Sequence, residues 1–370
     1  MAMESMNTTA RVRLAEIDGL RGWAALSVVL FHIFWETFGA VEPGFRSMFT
    51  GFILNGELAV CAFFVLSGEA LSSAYFAGRG HGSVARLVVK RYLRLTIPIL
   101  ASCALVFAVM AAGLAVNADA GRIVGRPGWL GSFVPFPASL TGMLRYALLD
   151  VYTSIPPTAA YNPFLWTMRV ELFGSLIVFF LLFIEPYLKR PLLVLGVGAL
   201  VGLAARSYVS CFLVGMIYAQ ARHGGVFSAL QNRSWVAPVC WCGLATLVLA
   251  DGYLHAQGLH YTDGTQLLVA IIGLGLVFAN KRMSDFFAAA PSRFLGRLSF
   301  PLYLVQFPVL ISLTSGLIVR AHEASALSTA MVWGVSLASL LACLVAAILF
   351  EPVERLTKAV TEWVAKAFLK

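Results

Sequence analysis

A histidine follows an arginine by eleven residues in the first long apolar stretch, in Arg21 to His32. A helix rises about 1.5 Å per residue, so with Arg21 at the water boundary His32 would lie roughly 16 Å deeper, near the middle of a hydrocarbon core about 30 Å thick. A titratable ring at that depth usually faces a protein-lined or watery cavity and marks a functional path. An imidazole there could act as a general base, so His32 is the first catalytic candidate.

Two arginines, Arg91 and Arg94, stand three residues apart at the start of another apolar stretch. Positions three apart on a helix are neighbours, so both guanidinium groups would lie on adjacent faces of one turn. Guanidinium pairs can clamp phosphate oxygens with charge-assisted hydrogen bonds. The alternative is that both side chains only anchor the cytoplasmic end of a membrane helix.

Carboxylates also fall inside apolar stretches. Glu171, in Trp166-Thr-Met-Arg-Val-Glu171, would lie roughly 10 Å below the outer surface by helical rise. It could bind the acceptor or handle protons, or it could form a structural ion pair with Arg169. Glu69 follows Ser67-Gly68, which we interpret chiefly as a small-residue packing site between helices.

Glu36 lies one helical turn beyond His32 on the same face. It could hold the imidazole in one tautomer, or it could be a solvated residue at the outer end of the helix. A long connection, about residues 117 to 163, follows further along the chain. Connections of this length are often binding loops or lids, although a packed re-entrant segment is an equal alternative.

Composition places these residues in a bilayer. The chain has 370 residues, of which 59% are hydrophobic and only 12% charged, and its mean hydropathy is +0.83. These values are typical of a polytopic membrane protein. The net charge of +9 comes from residues scattered between apolar runs, so we do not expect a nucleic-acid partner. We assign the six cysteines to neither disulfides nor a metal site.

Apolar runs of spanning length predict an all-α bundle of about ten transmembrane helices in a single domain covering residues 1–370. Lys and Arg are concentrated in alternate loops, which predicts that both termini are cytoplasmic. Residues 1–20 would form a cytoplasmic start, and residues 351–370 a cytoplasmic, amphipathic interfacial helix. The ten stretches are roughly 22–40, 51–76, 87–116, 164–184, 191–205, 207–221, 234–250, 265–280, 298–319 and 327–350.

Five short motifs together resemble the acyltransferase 3 family of integral membrane acyltransferases, over about residues 15 to 355. In chain order they are Asp18-Gly-Leu-Arg-Gly with His32, Phe63-Phe-Val-Leu-Ser-Gly, Arg91-Tyr-Leu-Arg94, Trp166-Thr-Met-Arg-Val-Glu171 and Leu298-Ser-Phe-Pro-Leu-Tyr303. Each motif alone is weak, whereas five in the right order are fairly specific. The chain departs from the family where Gln306 replaces a histidine common after the tyrosine, and where Glu69 replaces an apolar residue.

The resemblance implies a membrane O-acyltransferase that moves an acyl group, often acetyl, from cytoplasmic acyl-coenzyme A to a hydroxyl of a carbohydrate or glycoconjugate. Its implied catalytic residues are His32, Glu171 and Arg21. The donor would be bound by Arg91, Arg94 and Arg21, without a metal. The residues predicted to bind substrate are Trp166, Tyr303, Gln306 and Glu69.

A different class of protein would also place His and Glu at mid-membrane depth. A secondary transporter of a small anionic or sugar-like solute does so, often with paired, interrupted half-helices. We find no such internal repeat in the sequence, which favours the enzyme. In either case we expect a multi-pass protein of the cell membrane, with the alternation of basic loops suggesting a prokaryotic inner membrane.

Overall fold

The computed structural model describes residues 2–153, 159–258, 264–324 and 327–368, with side chains from Ala15 onward except that of Arg79. Within these ranges every regular element is helical. Ten helices account for most of the chain. They are α1 (Ala2–Leu30), α2 (Gly56–Ala74), α3 (Gly80–Ala111), α4 (Trp166–Ile184), α5 (Pro191–Ala204), α6 (Val209–His223), α7 (Val236–Ala256), α8 (Thr265–Ala279), α9 (Ala290–Val309) and α10 (Thr329–Phe368).

Each apolar stretch expected from the sequence falls on one of these helices, which confirms the all-α, polytopic class. Among the described residues, seven helices are long and apolar enough to cross a membrane, or eight if α8 and the short helix Lys281–Ala288, bent by 96°, form one span. The helices α5 and α6 have only 14 and 15 residues, about 21 to 23 Å of rise. A count of ten spans, and the side of the membrane on which the termini lie, stay predictions.

The C-terminal tail is helical, as expected, but it is not a separate element. Helix α10 runs for 40 residues through Pro352, so the tail continues the last apolar stretch without a break. Proline is tolerated in membrane helices when neighbouring groups satisfy the freed backbone atoms. The interfacial position of residues 351–368 remains a prediction.

The helices form two compact units, the first comprising Met1–Ser27, Asn55–Val89 and Val170–Ser299. Glycines bring its helices into close contact. A Cβ atom on Gly68 of α2 would overlap the backbone of Phe212 in α6, and one on Gly215 would overlap the backbone around Val65. Such contacts let helices pack closely through small residues. The packing interpretation of Gly68 is therefore confirmed.

The same principle accounts for both glycines of Asp18-Gly-Leu-Arg-Gly. A Cβ atom on Gly19 would overlap Phe287, and one on Gly22 would overlap the backbone of Leu295 and Gly296. In addition, Trp23 Nε1 donates to Ser292 Oγ at 3.0 Å. The motif thus packs α1 against the start of α9.

The second unit comprises Val28–Leu54, Lys90–Arg169 and Phe300–Lys370. It contains the long connection, whose described part folds into short helical turns with buried side chains such as Leu130. Val116 N donates to Ile311 O at 3.2 Å, and the buried Asn117 side chain donates to Leu130 O and Phe133 O, each at 2.9 Å. These bonds fix the connection to the unit. Ile155-Pro156-Pro157 lies outside the described residues.

Candidate functional site

His32 lies in a local widening of the first membrane helix. After Leu30 the chain continues as a π-helical turn, Phe31–Phe38, in which Thr37 Oγ1 donates to His32 O at 2.7 Å. Turns of this type occur frequently at functional sites. Seven of its eight residues are buried, whereas His32 is only partly buried.

One nitrogen of the His32 ring has an assigned partner. His32 Nδ1 lies 2.9 Å from Gln306 Oε1, and Gln306 Nε2 donates to Tyr303 O at 3.1 Å. A backbone carbonyl can only accept, so the amide nitrogen of Gln306 must face it and the amide oxygen must face His32. His32 Nδ1 is then the donor, and the lone pair resides on Nε2. Within the described residues, Nε2 makes no hydrogen bond.

Aromatic rings surround the imidazole. Phe164 stacks on it with ring centroids 3.8 Å apart and planes 15° apart, and Trp129 lies 6.0 Å away with planes 28° apart. Phe133 and Phe307 contact Phe164 at 5.6 and 5.0 Å. An apolar surround excludes water and strengthens electrostatic interactions with the ring.

Phe164 is held by the predicted substrate-binding residue Tyr303. The Tyr303 hydroxyl donates to Phe164 O and lies 2.6 Å from Thr167 Oγ1. Tyr303 is buried, and its hydroxyl is engaged by these two groups. Trp166, the neighbouring substrate-binding candidate, is 50% exposed.

Glu36 pairs with a residue of the long connection. Its carboxylate forms a short ion pair with Arg126, and Gln306 occupies the Nδ1 side of His32. The Arg126 guanidinium carbon also lies 5.9 Å from the centroid of the Trp129 ring. Neither interpretation of Glu36 from the sequence, tautomer holder or solvated residue, describes this contact, because it depends on a side chain 90 positions away.

The two candidate donor-binding arginines lie at the beginning of the apolar part of α3. Arg94 Nη2 forms an ion pair with Glu354 Oε2 of α10 at 2.9 Å, with side-chain exposures of 34% and 11%. Among the described residues, Arg94 Nη1 is buried without a hydrogen-bond partner, and so is Glu354 Oε1. Arg91 is partly buried one turn earlier. A second contact between these helices joins Lys90 to Glu362.

Three predicted site residues belong to the first unit. Arg21 Nη2 donates to Ser67 Oγ at 3.4 Å, and Glu171 is buried in α4. Glu69 is fully buried and accepts from Arg222 Nε at 2.5 Å, while Arg222 Nη1 donates to Glu16 Oε2 at 2.7 Å. The described contacts of Glu69 are therefore those of an ion cluster.

A family model described as an acyltransferase domain matches residues 14–351. The chain belongs to the acyltransferase 3 family. No curated protein and no solved structure matches it. The acyltransferase is thus an integral membrane transferase that takes an acyl donor and an acceptor, with His32 and its aromatic surround in the second unit.

Sequence reasoning missed the residues that contact the imidazole from the long connection and from the turn before α4. Trp129 lies in the long connection, which lacks helical periodicity, and Phe164 is the first residue of a predicted apolar stretch. Nothing local distinguishes either residue from other apolar residues. The one available signal is Asn162-Pro163, a typical turn start directly before Phe164.

A buried tyrosine, Tyr146, contacts the backbone of the same turn start. Tyr146 donates to Asn162 O at 2.7 Å, and burial raises the pKa of Tyr146, so its hydroxyl stays protonated.

Proposed function

We propose that this acyltransferase moves an acyl group, in the first instance acetyl, from acyl-coenzyme A to a hydroxyl of a carbohydrate or glycoconjugate, with His32 as the general base. The observation that carries the proposal is the state of the imidazole. Its Nδ1 is held by Gln306, and its Nε2 keeps a lone pair without a described partner. A base must have such a nitrogen within reach of the proton it removes.

In the proposed reaction, His32 Nε2 takes the proton of the acceptor hydroxyl while the hydroxyl oxygen forms a bond to the thioester carbonyl carbon. The carbon–sulfur bond then breaks, and His32 returns the proton to the thiolate. The thioester supplies the acyl group, and no net proton is gained or lost. A variant in which His32 first carries the acyl group itself uses the same nitrogen as nucleophile.

Arg91 and Arg94 are proposed to bind the phosphates of the donor. Arg94 supports this role because its Nη1 group is buried without a described partner, which leaves a charge-assisted donor available for an anionic oxygen. Arg21 is proposed to assist them, on the strength of the motif it belongs to. Glu171 is proposed to handle protons or bind the acceptor, also by its motif.

Among the predicted substrate-binding residues, the contacts favour different roles. Trp166 is half exposed and is proposed to stack on the acceptor, since aromatic faces bind sugar rings through apolar contact. Tyr303 and Gln306 are proposed to position Phe164 and His32. Glu69 is assigned to the acceptor by the sequence alone, and its pairing with Arg222 supports a structural role.

Replacing His32 with alanine tests the proposal. General-base catalysis is typically worth about 10²- to 10⁴-fold in rate, so transfer of labelled acetyl from acetyl-coenzyme A into the glycan fraction of membranes should nearly cease. His322, which is exposed, provides a control variant, His322→Ala, that should retain activity. Near-normal transfer by His32→Ala would remove the ring from the mechanism.

The donor assignment has its own test. Arg91→Ala and Arg94→Ala should each raise the KM for acetyl-coenzyme A, about tenfold for the loss of one phosphate contact worth roughly 1.5 kcal/mol. Unchanged KM values in both variants would show that these arginines only anchor the end of the helix.

Mass spectrometry of surface glycans with and without the chain would identify the acceptor. Solute uptake into vesicles without any thioester would instead favour a transporter.

A further inference from the structure

Asn162 lies directly before the turn that carries Phe164, and both polar atoms of its side chain are hydrogen-bonded. The residue is completely buried. Its Oδ1 accepts from Phe164 N at 3.2 Å, and its Nδ2 donates to Ser102 Oγ at 3.0 Å and to Leu304 O at 3.3 Å. A buried amide with every group satisfied rigidifies its neighbours, because losing any partner leaves an unpaired polar atom.

The conformation of Asn162 is also set by its neighbour in sequence. The residue before a proline is restricted to extended backbone angles, and Asn162 has φ −140° and ψ 93° before Pro163. In this conformation its side-chain oxygen accepts from the amide of Phe164, two residues on, and caps the 3₁₀ turn Pro163–Leu165. Phe164, the middle residue of that turn, is thereby placed against His32 at a centroid distance of 3.8 Å.

The amide nitrogen of Asn162 donates to a backbone carbonyl of α9 that has no helical donor. Pro308 has no N–H group and cannot donate to the carbonyl of Leu304, four residues earlier. That carbonyl instead accepts from Ser102 Oγ at 2.8 Å and from Asn162 Nδ2. A buried carbonyl without these donors would cost free energy comparable to a lost hydrogen bond.

Leu304 lies between the two residues of α9 that act on the site. Tyr303 precedes it and binds Phe164, and Gln306 follows two residues later and holds His32 Nδ1 at 2.9 Å. Fixing the Leu304 carbonyl therefore fixes the backbone from which Gln306 reaches the imidazole. Asn162 is connected to His32 by two routes, one through Phe164 and one through Gln306.

We infer that Asn162 is a positioning residue for the acyl transfer: through the Phe164 ring and the Leu304 carbonyl it holds the His32 imidazole in the orientation from which Nε2 acts. The inference rests on the proposed function of His32. It predicts an effect on turnover rather than on donor binding, because the hydrogen bonds of the Asn162 side chain are to Phe164, Ser102 and Leu304 and not to the three arginines proposed to bind the donor. Misplacing a reacting group by about 1 Å can cost 10²-fold in rate.

The test measures kcat and the KM for acetyl-coenzyme A in purified protein reconstituted in vesicles, with the acceptor glycan identified by mass spectrometry. Asn162→Asp has the same shape but replaces the donor that faces the Leu304 carbonyl with an acceptor. We expect kcat to fall about 10- to 100-fold, with KM within about twofold of the parent value. Asn162→Ala should give a similar loss.

Asn280→Ala is the matched control. Asn280 is also a buried asparagine whose Oδ1 caps a helix, accepting from Arg282 N and Met283 N, but it belongs to the first unit, whereas His32 belongs to the second. It should lose thermal stability without losing kcat. Equal losses of kcat in Asn280→Ala and Asn162→Ala would show a general effect of destabilisation and overturn the inference.

Ser102→Ala provides a second variant, because Asn162 Nδ2 remains to serve the Leu304 carbonyl. We expect a fall in kcat of about threefold, and a combined loss with Asn162→Ala that is not the product of the single losses. If neither Asn162 variant accumulates, a normal kcat in Ser102→Ala overturns the inference. If His32→Ala is inactive while Asn162→Asp is normal, only this inference fails. If His32→Ala is active, the proposed function fails as well.

Discussion

Two polar side chains inside the helix bundles, Arg222 and His32, contrast in their surroundings. In the first unit, Arg222 binds Glu16 and Glu69 and lies over an aromatic ring, with its guanidinium carbon 4.4 Å from the Phe278 centroid. In the second unit, the described contacts of the His32 ring are all with neutral groups. The first arrangement pairs charges of opposite sign and links helices. The second leaves one ring nitrogen of His32 without a described hydrogen-bond partner.

The difference shows how a membrane protein separates stability from chemistry. Charges inside a low-dielectric interior must be paired, and removing one partner strands the other. A neutral imidazole needs no counter-charge, so its neighbours can be aromatic rings and one amide. We therefore expect substitutions in the Arg222 cluster to change folding, and substitutions around His32 to change the rate.

The largest effect should come from Arg222→Ala. It would leave the carboxylates of Glu16 and Glu69 buried without their cation, which typically costs about 3–5 kcal/mol of unfolding free energy. Thermal melting in detergent and the yield of folded protein measure the loss. The triple variant Arg222→Met, Glu16→Gln, Glu69→Gln removes all charges and should recover much of it. A stable Arg222→Ala protein would show that the cluster is not what holds these helices.

Gln306→Leu should mainly lower the catalytic rate, whereas Arg222→Ala should mainly lower the stability. The His32 Nδ1 donor would lose its acceptor, and an unsatisfied buried group costs about 1–3 kcal/mol, so kcat should fall about 10- to 100-fold. The melting temperature should change little in comparison with Arg222→Ala. A normal kcat would mean that the Gln306 contact does not orient the imidazole.

Arg126→Ala should have a smaller effect, because its pair with Glu36 is partly exposed and acts on His32 through Trp129. We expect kcat to fall about fivefold, corresponding to roughly 1 kcal/mol for an ion pair that stays partly accessible to solvent. Glu36→Gln should give a similar loss, and the double variant should be no worse than either single variant. Additive losses would show that the two residues act separately.

Glu354→Gln should have the smallest effect. Glu354 neutralises one side of Arg94, so weakening this pair should make the guanidinium more available to an anionic donor. The pair is partly exposed, which limits its worth to about 1 kcal/mol or less, and the KM for acetyl-coenzyme A should fall about two- to fivefold. The control Glu351→Gln removes a carboxylate whose ion pair, among the described residues, is with Arg355 on the same helix. A rise in KM would show that Glu354 instead positions Arg94 for the donor.

The helix bounds and the C-terminal tail show which parts of the fold can be predicted from the sequence. The helices were predictable because a run of apolar residues reports locally on its own length, and the bounds of α4, α5 and α8 agree with the predicted stretches within two residues. The tail was predicted as helical but its continuity with α10 was not, since a proline and a charged segment usually indicate a break.

The order of the motifs was enough to identify the acyltransferase 3 family, and the choice of His32 needed only the depth of a histidine in an apolar run. What the sequence could not decide was which side chains meet there. Gln306 lies 274 positions from His32 and Arg126 lies 90 from Glu36, and no local pattern encodes such pairs. These contacts arise only when helices pack, because packing alone brings distant polar groups within the 3 Å at which a hydrogen bond forms.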